Sequence, residues 1–520
     1  MLFNSYVFMF GFLPIVFIIF SFLKKSNSSY ICYWLVLASC VFYLWWEPKL
    51  LTLLLASILI NYYLGIIINK QSVIFFKKIT LAAGILINLF VIGYFKYANF
   101  FITNLNVLSD SNFNEINIIL PLAISFFTFQ QIAYLIDTFN GKTINSNLLE
   151  YSLFITFFPQ LIAGPIVYHN ELVPQFRNFL KSSSYVNFSI GITIFAIGLF
   201  KKVVLADSMA IYSNAVFLSA EQGITLTFFE AWGGALAYTF ELYFDFSGYT
   251  DMAIGLARIF GIILPINFYS PYKASSIIVF WKRWHITLSR FLKEYLYFKL
   301  GGDKFGNLRK YLNILIVMAI GGLWHGASWN FIFWGLFHGV LIIINHLSIV
   351  FFNFLKISKY IKAMPFKALS ILLTFFLIVV SWVIFRAENI HIALEIIRSM
   401  FSFDRIILPD SMMQRLNFLE TYLLSKGVTV GSPFYNGIAD WRDGLLIFGL
   451  SFFTIWVLPN TSQIFNHDHL STNMPKFHQK EFIINVNWKP NLTWALVTAI
   501  YLVIGLVMIS STNNFIYFQF

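Results

Sequence analysis

The 520-residue chain is 58% hydrophobic and 11% charged, with a mean hydropathy of +0.74; this excludes a soluble fold and implies an all-α polytopic membrane protein. Its formal charge of +12 does not imply nucleic acid, because most Lys and Arg lie in short loops or beside apolar runs, where the positive-inside rule sets them against inner-leaflet lipid. Two cysteines make no disulfide framework, since Cys32 and Cys40 sit on one predicted helix about 12 Å apart along its axis.

Apolar runs of about 20 residues recur along the chain, as in 119–139 and 492–510, and predict roughly eleven to fourteen membrane spans in a single domain covering 1–520. The first run, 6–23, has no basic residue before it and no small-residue cleavage site after it, and reads as a retained helix. Lys24 and Lys25 follow the first span and Lys70, Lys77 and Lys78 the third, whereas the alternate loops offer Lys49 and Lys96. That asymmetry places the amino terminus on the periplasmic side. Residues 97–118 are polar without a basic residue and read as an outer loop.

In 161–176 a Gly-Pro break follows an apolar run, with His169 and Glu171 beyond it, as at an interfacial helix end. In 241–261, Asp245 and Asp251 flank a Ser-Gly-Tyr-Thr turn, where Asp, Ser and Thr cap helix starts; the alternative is that the two carboxylates line a polar tunnel. From Lys273 to Lys310 the chain is too densely charged to lie in hydrocarbon and reads as interfacial or re-entrant. Within it, 279–302 places Trp281, Trp284, His285 and Leu288 on one helical face, with Lys282, Arg283 and Arg290 largely off it. The segment is either an amphipathic interfacial helix or one whose Lys282, Arg283 and Trp284 also hold an activated acyl donor, with His285 pointing inward.

His325 lies in GGLWHGASWN (321–330), bracketed by Gly321, Gly322 and Gly326, which permit close approach of backbone or ligand. Ionisable groups in a membrane interior generally face a cavity, partner or pathway. A packing role, tied to a neighbour such as Asn330, and a catalytic role fit equally on these grounds. A buried imidazole is expected to be neutral, the form that accepts a proton from an attacking hydroxyl. His338, about 220° around a continuous helix from His325, reads as structural, as does His346. His467 and His469 flank Asp468 in a loop without further ligands, and no metal site is predicted. Polar insertions at 403–444 and 459–491 read as caps or docking surfaces. No phosphate loop, GxSxG elbow or dinucleotide fingerprint is present.

Taken in order, ILPLAISFFTFQ, FITFFPQLIAGPIV, YFDFSGYTDMAIGLA, FWKRWHITLSRFLKEYLYFKLGG, GGLWHGASWNFIFWGLFHG and a final FIYFQF closely resemble the membrane-bound O-acyltransferase family. Within it the bacterial alginate O-acetylase branch is nearest, and the match is most specific across 119–340. The resemblance implies a ring of helices around a central tunnel in the bacterial inner membrane. It also implies acyl transfer from a cytoplasmic donor, with acetyl-CoA expected, to a polysaccharide acceptor outside, commonly with a periplasmic protein partner. It assigns catalysis to His325 and a place beside the tunnel to His285. Lys282 stands where the motif has arginine, so bidentate phosphate contact is lost there. The competing expectations are a polymer or lipid transporter and a scaffold for periplasmic acetylases.

Overall fold

The computed structural model describes residues 1–25, 27–46, 48–179, 185–356, 364–403, 406–408, 410–425, 427–431, 441–465, 484, 486–509 and 515–516. Helices dominate, and the sheet among these residues is a parallel pair of two-residue strands, Ile407–Leu408 and Thr429–Val430.

In chain order the helices that build the site's surroundings are α1 (Leu13–Leu23), α2 (Ser28–Leu44), α3 (Leu51–Lys70), α4 (Ile74–Ile92), α5 (Ala98–Ser109), α6 (Ile124–Phe139), α7 (Leu148–Thr156) and α8 (His169–Arg177). They continue with α9 (Tyr185–Phe200), α10 (Asp207–Glu221), α11 (Phe228–Ile259), α12 (Ile277–Arg283), α13 (Ile286–Leu292), α14 (Gly306–His325), α15 (Trp329–Phe354) and α16 (Met364–Arg386). The later part adds α17 (Ile390–Met400), α18 (Trp441–Trp456) and α19 (Leu492–Val507).

Five helical stretches among the described residues are long and apolar enough to cross a bilayer: Pro48–Lys70, Ile74–Ser109, Tyr185–Glu221, Trp329–Phe354 and Pro365–Arg386. Val7–Leu23, Ser28–Leu44 and Leu492–Val507 are shorter apolar helices. Apolar runs are not used as uniform spans. The run 119–139 yields only the 16-residue α6 after an irregular start, and the 32-residue α11 carries Glu241, Asp245, Asp251 and Arg258 in its buried length. Nor are residues 97–109 a loop. They continue α4 through a π-type turn at Gly93–Tyr97 into α5, so Lys96 lies inside a helix and does not mark topology.

At the centre α9 crosses α11 on two pairs of glycines seven residues apart. A Cβ at Gly198 would lie 2.5 Å from the Gly248 carbonyl oxygen, and one at Gly191 2.6 Å from that of Gly255. Small residues let backbones touch where no hydrophobic force draws helices together. Directly beyond that crossing, the π-type turn Lys201–Ala206 turns two lysines into the core. Lys202 Nζ lies 2.6 Å from Asp245 and 2.7 Å from Asp207, and Lys201 Nζ 2.6 Å from Asp251. This corrects the reading of Asp245 and Asp251 as residues around a turn. Both lie within the unbroken α11, whose backbone needs no break because lysines from the facing helix neutralise its carboxylates. The Ile516 amide donates to Asp245 Oδ2 at 3.1 Å, and the Phe515 ring stacks on Tyr249 at 4.5 Å.

A second polar seam joins α3, α4 and α6. Asn88 Nδ2 donates to Asn61 Oδ1 at 2.6 Å, Ser57 Oγ bonds to Gln131 Oε1 at 3.0 Å, and Asn61 Nδ2 also donates to Gln131. In the first polar insertion Leu408, Met413 and Val428 form a small cluster of their own, apart from the main core. His467, Asp468 and His469 lie outside the described residues.

Glycine also sets the contact between α14 and α15. A Cβ at Gly322 would lie 2.0 Å from the Phe331 carbonyl oxygen, and one at Gly335 2.1 Å from that of Met318. Backbone cannot move aside as a side-chain tip can, so Gly322→Ala is expected to cost at least about 2 kcal/mol. Gly449→Ala, in α18 where a Cβ meets nothing within 4 Å, is expected to be neutral or stabilising by up to about 1 kcal/mol. Melting temperatures of the two purified variants in one detergent check the contrast.

Candidate active site

α14 ends at His325, inside the protein. The next residue, Gly326, is extended (φ −165°), and Ser328 caps the start of α15 by accepting from the Asn330 amide at 3.3 Å. The chain therefore breaks between His325 and His338, and the angle expected for one continuous helix does not apply. Gly326 is required because a Cβ there would meet the Phe331 ring at 2.1 Å. His325 is 6% exposed. Its ring contacts Trp324, Trp334 and Phe385 edge to face, at centroid separations of 4.9, 5.3 and 5.3 Å.

A helix that stops in such a place leaves carbonyls without partners. Here they are met from another part of the chain. Tyr97 Oη donates to the Leu323 carbonyl at 2.9 Å, and Lys96 Nζ donates to the Trp324 and His325 carbonyls at 2.6 and 3.1 Å. Lys96 also lies 3.5 Å from Ser125 Oγ. Sequence reasoning missed this role, since one lysine at the end of an apolar run carries the same signal whether it faces water or a carbonyl.

His325 and Lys96 line one pocket, walled by Trp46, residues 120–126, Ile162, Ala163 and Trp324. Ala123 holds a left-handed backbone (φ 63°) in that wall. The pocket sits at the start of α6. The other end of α6 lies against the start of α4, where Lys77 stands 5.3 Å above the Phe139 ring. The pocket and Lys77 thus lie at opposite ends of the same helix.

His285 also packs on Trp324, its ring 5.9 Å from the indole and 4.8 Å from Phe246. The single amphipathic helix expected over 279–302 is absent. α12 stops at Arg283, His285 takes a left-handed conformation (φ 42°), and α13 starts at Ile286. Asn267 makes that break. Its carbonyl oxygen accepts from the Ile286 amide at 2.9 Å, and its Oδ1 accepts from the Thr287 amide at 3.2 Å and the Thr287 hydroxyl at 2.9 Å. Oδ1 also lies 3.1 Å from His285 Nδ1. An oxygen that already accepts from an amide cannot donate, so Nδ1 carries the proton and Nε2 the lone pair.

The other predicted residues are dispersed. Lys282 is exposed. Arg283 is buried, its guanidinium 6.0 Å from the Tyr269 ring centroid. Trp284 packs on Trp382 at 4.9 Å, and Asn330 Nδ2 donates to the Ala387 carbonyl at 2.7 Å, tying the start of α15 to the end of α16. Asp245 and Asp251 remain in the ion pairs of the central crossing. Arg290 forks onto Glu171 at 2.7 and 3.0 Å, 4.1 Å above the Tyr168 ring. His338 accepts from Trp281 Nε1 at 3.3 Å, while His169 pairs with Ser146 Oγ at 2.9 Å.

Comparison with known proteins matches residues 144–385 to the family model described as MBOAT, membrane-bound O-acyltransferase family. The chain is 43% identical over 453 residues to the "Peptidoglycan O-acetyltransferase" of Helicobacter pylori, covering 81% of this chain and 83% of the relative. It is 40% identical over 409 residues to the "Probable alginate O-acetylase AlgI" of Pseudomonas putida, covering 78% and 81%. A "Teichoic acid D-alanyltransferase" of Streptococcus thermophilus is 28% identical over 286 residues, covering 51% and 68%.

The Asn267 junction gives a test that needs no substrate. Asn267→Ala removes the acceptor of the buried Thr287 amide, at an expected cost of about 2 kcal/mol. The expected outcome is a lower melting temperature, with residues 284–287 more open to protease or hydrogen exchange.

Proposed function

Because the chain belongs to the membrane-bound O-acyltransferase family and is an acyltransferase, we propose that it acetylates a hydroxyl of a cell-envelope polymer, alginate or peptidoglycan, using acetyl-CoA from the cytoplasm. One observation carries the reading. An imidazole enclosed by aromatic rings ends a helix inside the protein and lines the pocket at the end of α6 away from Lys77.

If the basic loops after α1 and α3 face the cytoplasm, as the positive-inside rule requires, the amino terminus is periplasmic and the pocket opens outward from the inner membrane. The acceptor hydroxyl enters there. The thioester arrives from the other side, guided by the basic residues exposed between Lys282 and Arg309. His325 takes the hydroxyl proton as the oxygen attacks the thioester carbonyl. The carbon–sulfur bond breaks, and the departing thiolate takes the proton from His325. His285, with its lone pair on Nε2, orients the acyl group or assists this transfer. The hydroxyl belongs to the polymer itself or to a periplasmic protein that passes the acetyl group on.

Ester content of the envelope polymers, measured in cells with matched membrane levels of each variant, tests the assignment. His325→Ala is expected to lower acetylation by at least about 10²-fold, the usual contribution of a positioned base, and His285→Ala to lower it less. Normal acetylation by a well-inserted His325→Ala chain would overturn the catalytic role of His325. Identifying the acetylated polymer in the same cells names the acceptor.

A further inference from the structure

We propose that Lys96 is a positioning residue for His325: its ammonium fixes the last turn of α14 and thereby the place of the imidazole in the pocket. The proposal rests on the reading of His325 as the base.

An ammonium has three N–H donors, and each has an acceptor here: the Trp324 carbonyl at 2.6 Å, the His325 carbonyl at 3.1 Å and Ser125 Oγ at 3.5 Å. None is left for a carboxylate or phosphate of an incoming substrate, which separates this role from anion binding although Lys96 lines the pocket. The geometry also suits a cation. The last carbonyls of a helix carry the negative end of its dipole, and in a membrane interior water does not compensate for their loss.

Local backbone serves the same end. α4 is apolar and would continue regularly, but the π-type turn at Gly93–Tyr97 turns two successive residues, Lys96 and Tyr97, toward one target, the carbonyls of 323–325. Turns of this type recur at functional sites. Tyr97 holds the turn one residue earlier, so the group placed last is the backbone of His325 itself. A displacement of about 1 Å at a reacting group costs on the order of 10²-fold in rate.

The test uses the full chain in membrane vesicles, with radiolabelled acetyl-CoA as donor and the vesicles' own polymers as acceptor, and compares wild type, Lys96→Arg, Lys96→Met and His325→Ala. A second readout needs no turnover: the rate at which diethylpyrocarbonate modifies His325, read by mass spectrometry. Lys96→Met is expected to lower kcat by about 10²-fold with KM for acetyl-CoA within about twofold of wild type, and to speed modification of His325. Lys96→Arg, which keeps charge and donors, is expected to restore most of kcat and the slow modification. If Lys96→Met fails to fold, Lys96→Gln, too short to reach both carbonyls, takes its place under the same criteria. A folded variant lacking the ammonium, with kcat and His325 modification both unchanged, would overturn the proposal. Activity retained by His325→Ala would overturn the base instead. The modification rates would then decide on Lys96 alone, faster in Lys96→Met supporting it and unchanged overturning it.

Discussion

A helix that ends inside a membrane protein has to find partners for its last carbonyls within the protein, and the candidate site is built on that constraint. In water the end of α14 would be met by solvent. In hydrocarbon each unmet group costs several kcal/mol. The phenol of Tyr97 and the ammonium of Lys96 discharge that cost from one turn of another helix. The imidazole of His325 can then sit at a helix end, facing a pocket, where a residue in mid-helix would face a neighbouring helix. Aromatic rings close the other sides, and the glycines at 322, 326 and 335 admit α15 closely enough to bring its Trp334 ring into reach.

The same economy governs the charges at the central crossing. Two glycine pairs bring α9 and α11 into backbone contact, and just past them Lys201 and Lys202 meet Asp251 and Asp245. Buried pairs add little net stability, but removing one partner strands the other, so such contacts specify how helices pair more than they strengthen the pairing.

How much of this was legible in the sequence depended on whether a residue's meaning was local. The membrane class and the helical fold followed from composition, and the glycines of GGLWHGASWN were correctly expected to serve close approach. Lys96 could not be read, because its partners lie 228 and 229 residues away. The break at His285 was hidden for the same reason. Periodicity over 279–302 favours one helix, and only Asn267, 18 residues earlier, outcompetes it for the Ile286 and Thr287 amides. Asp245 and Asp251 were assigned to a turn because Asp, Ser, Gly and Thr favour turns locally, whereas lysines on another helix let the helix run on.

The hydrogen bond from the Ile516 amide to Asp245 joins residues 271 positions apart. During synthesis Lys202 and Asp207 are made before Asp245, so its ionic partners await it. The amide follows only after those 271 residues, about 14 to 54 s later at about 5–20 residues per second. For that interval the carboxylate is neutralised but incompletely solvated by the protein. The interior of α11 is therefore completed only after the end of the chain has been made.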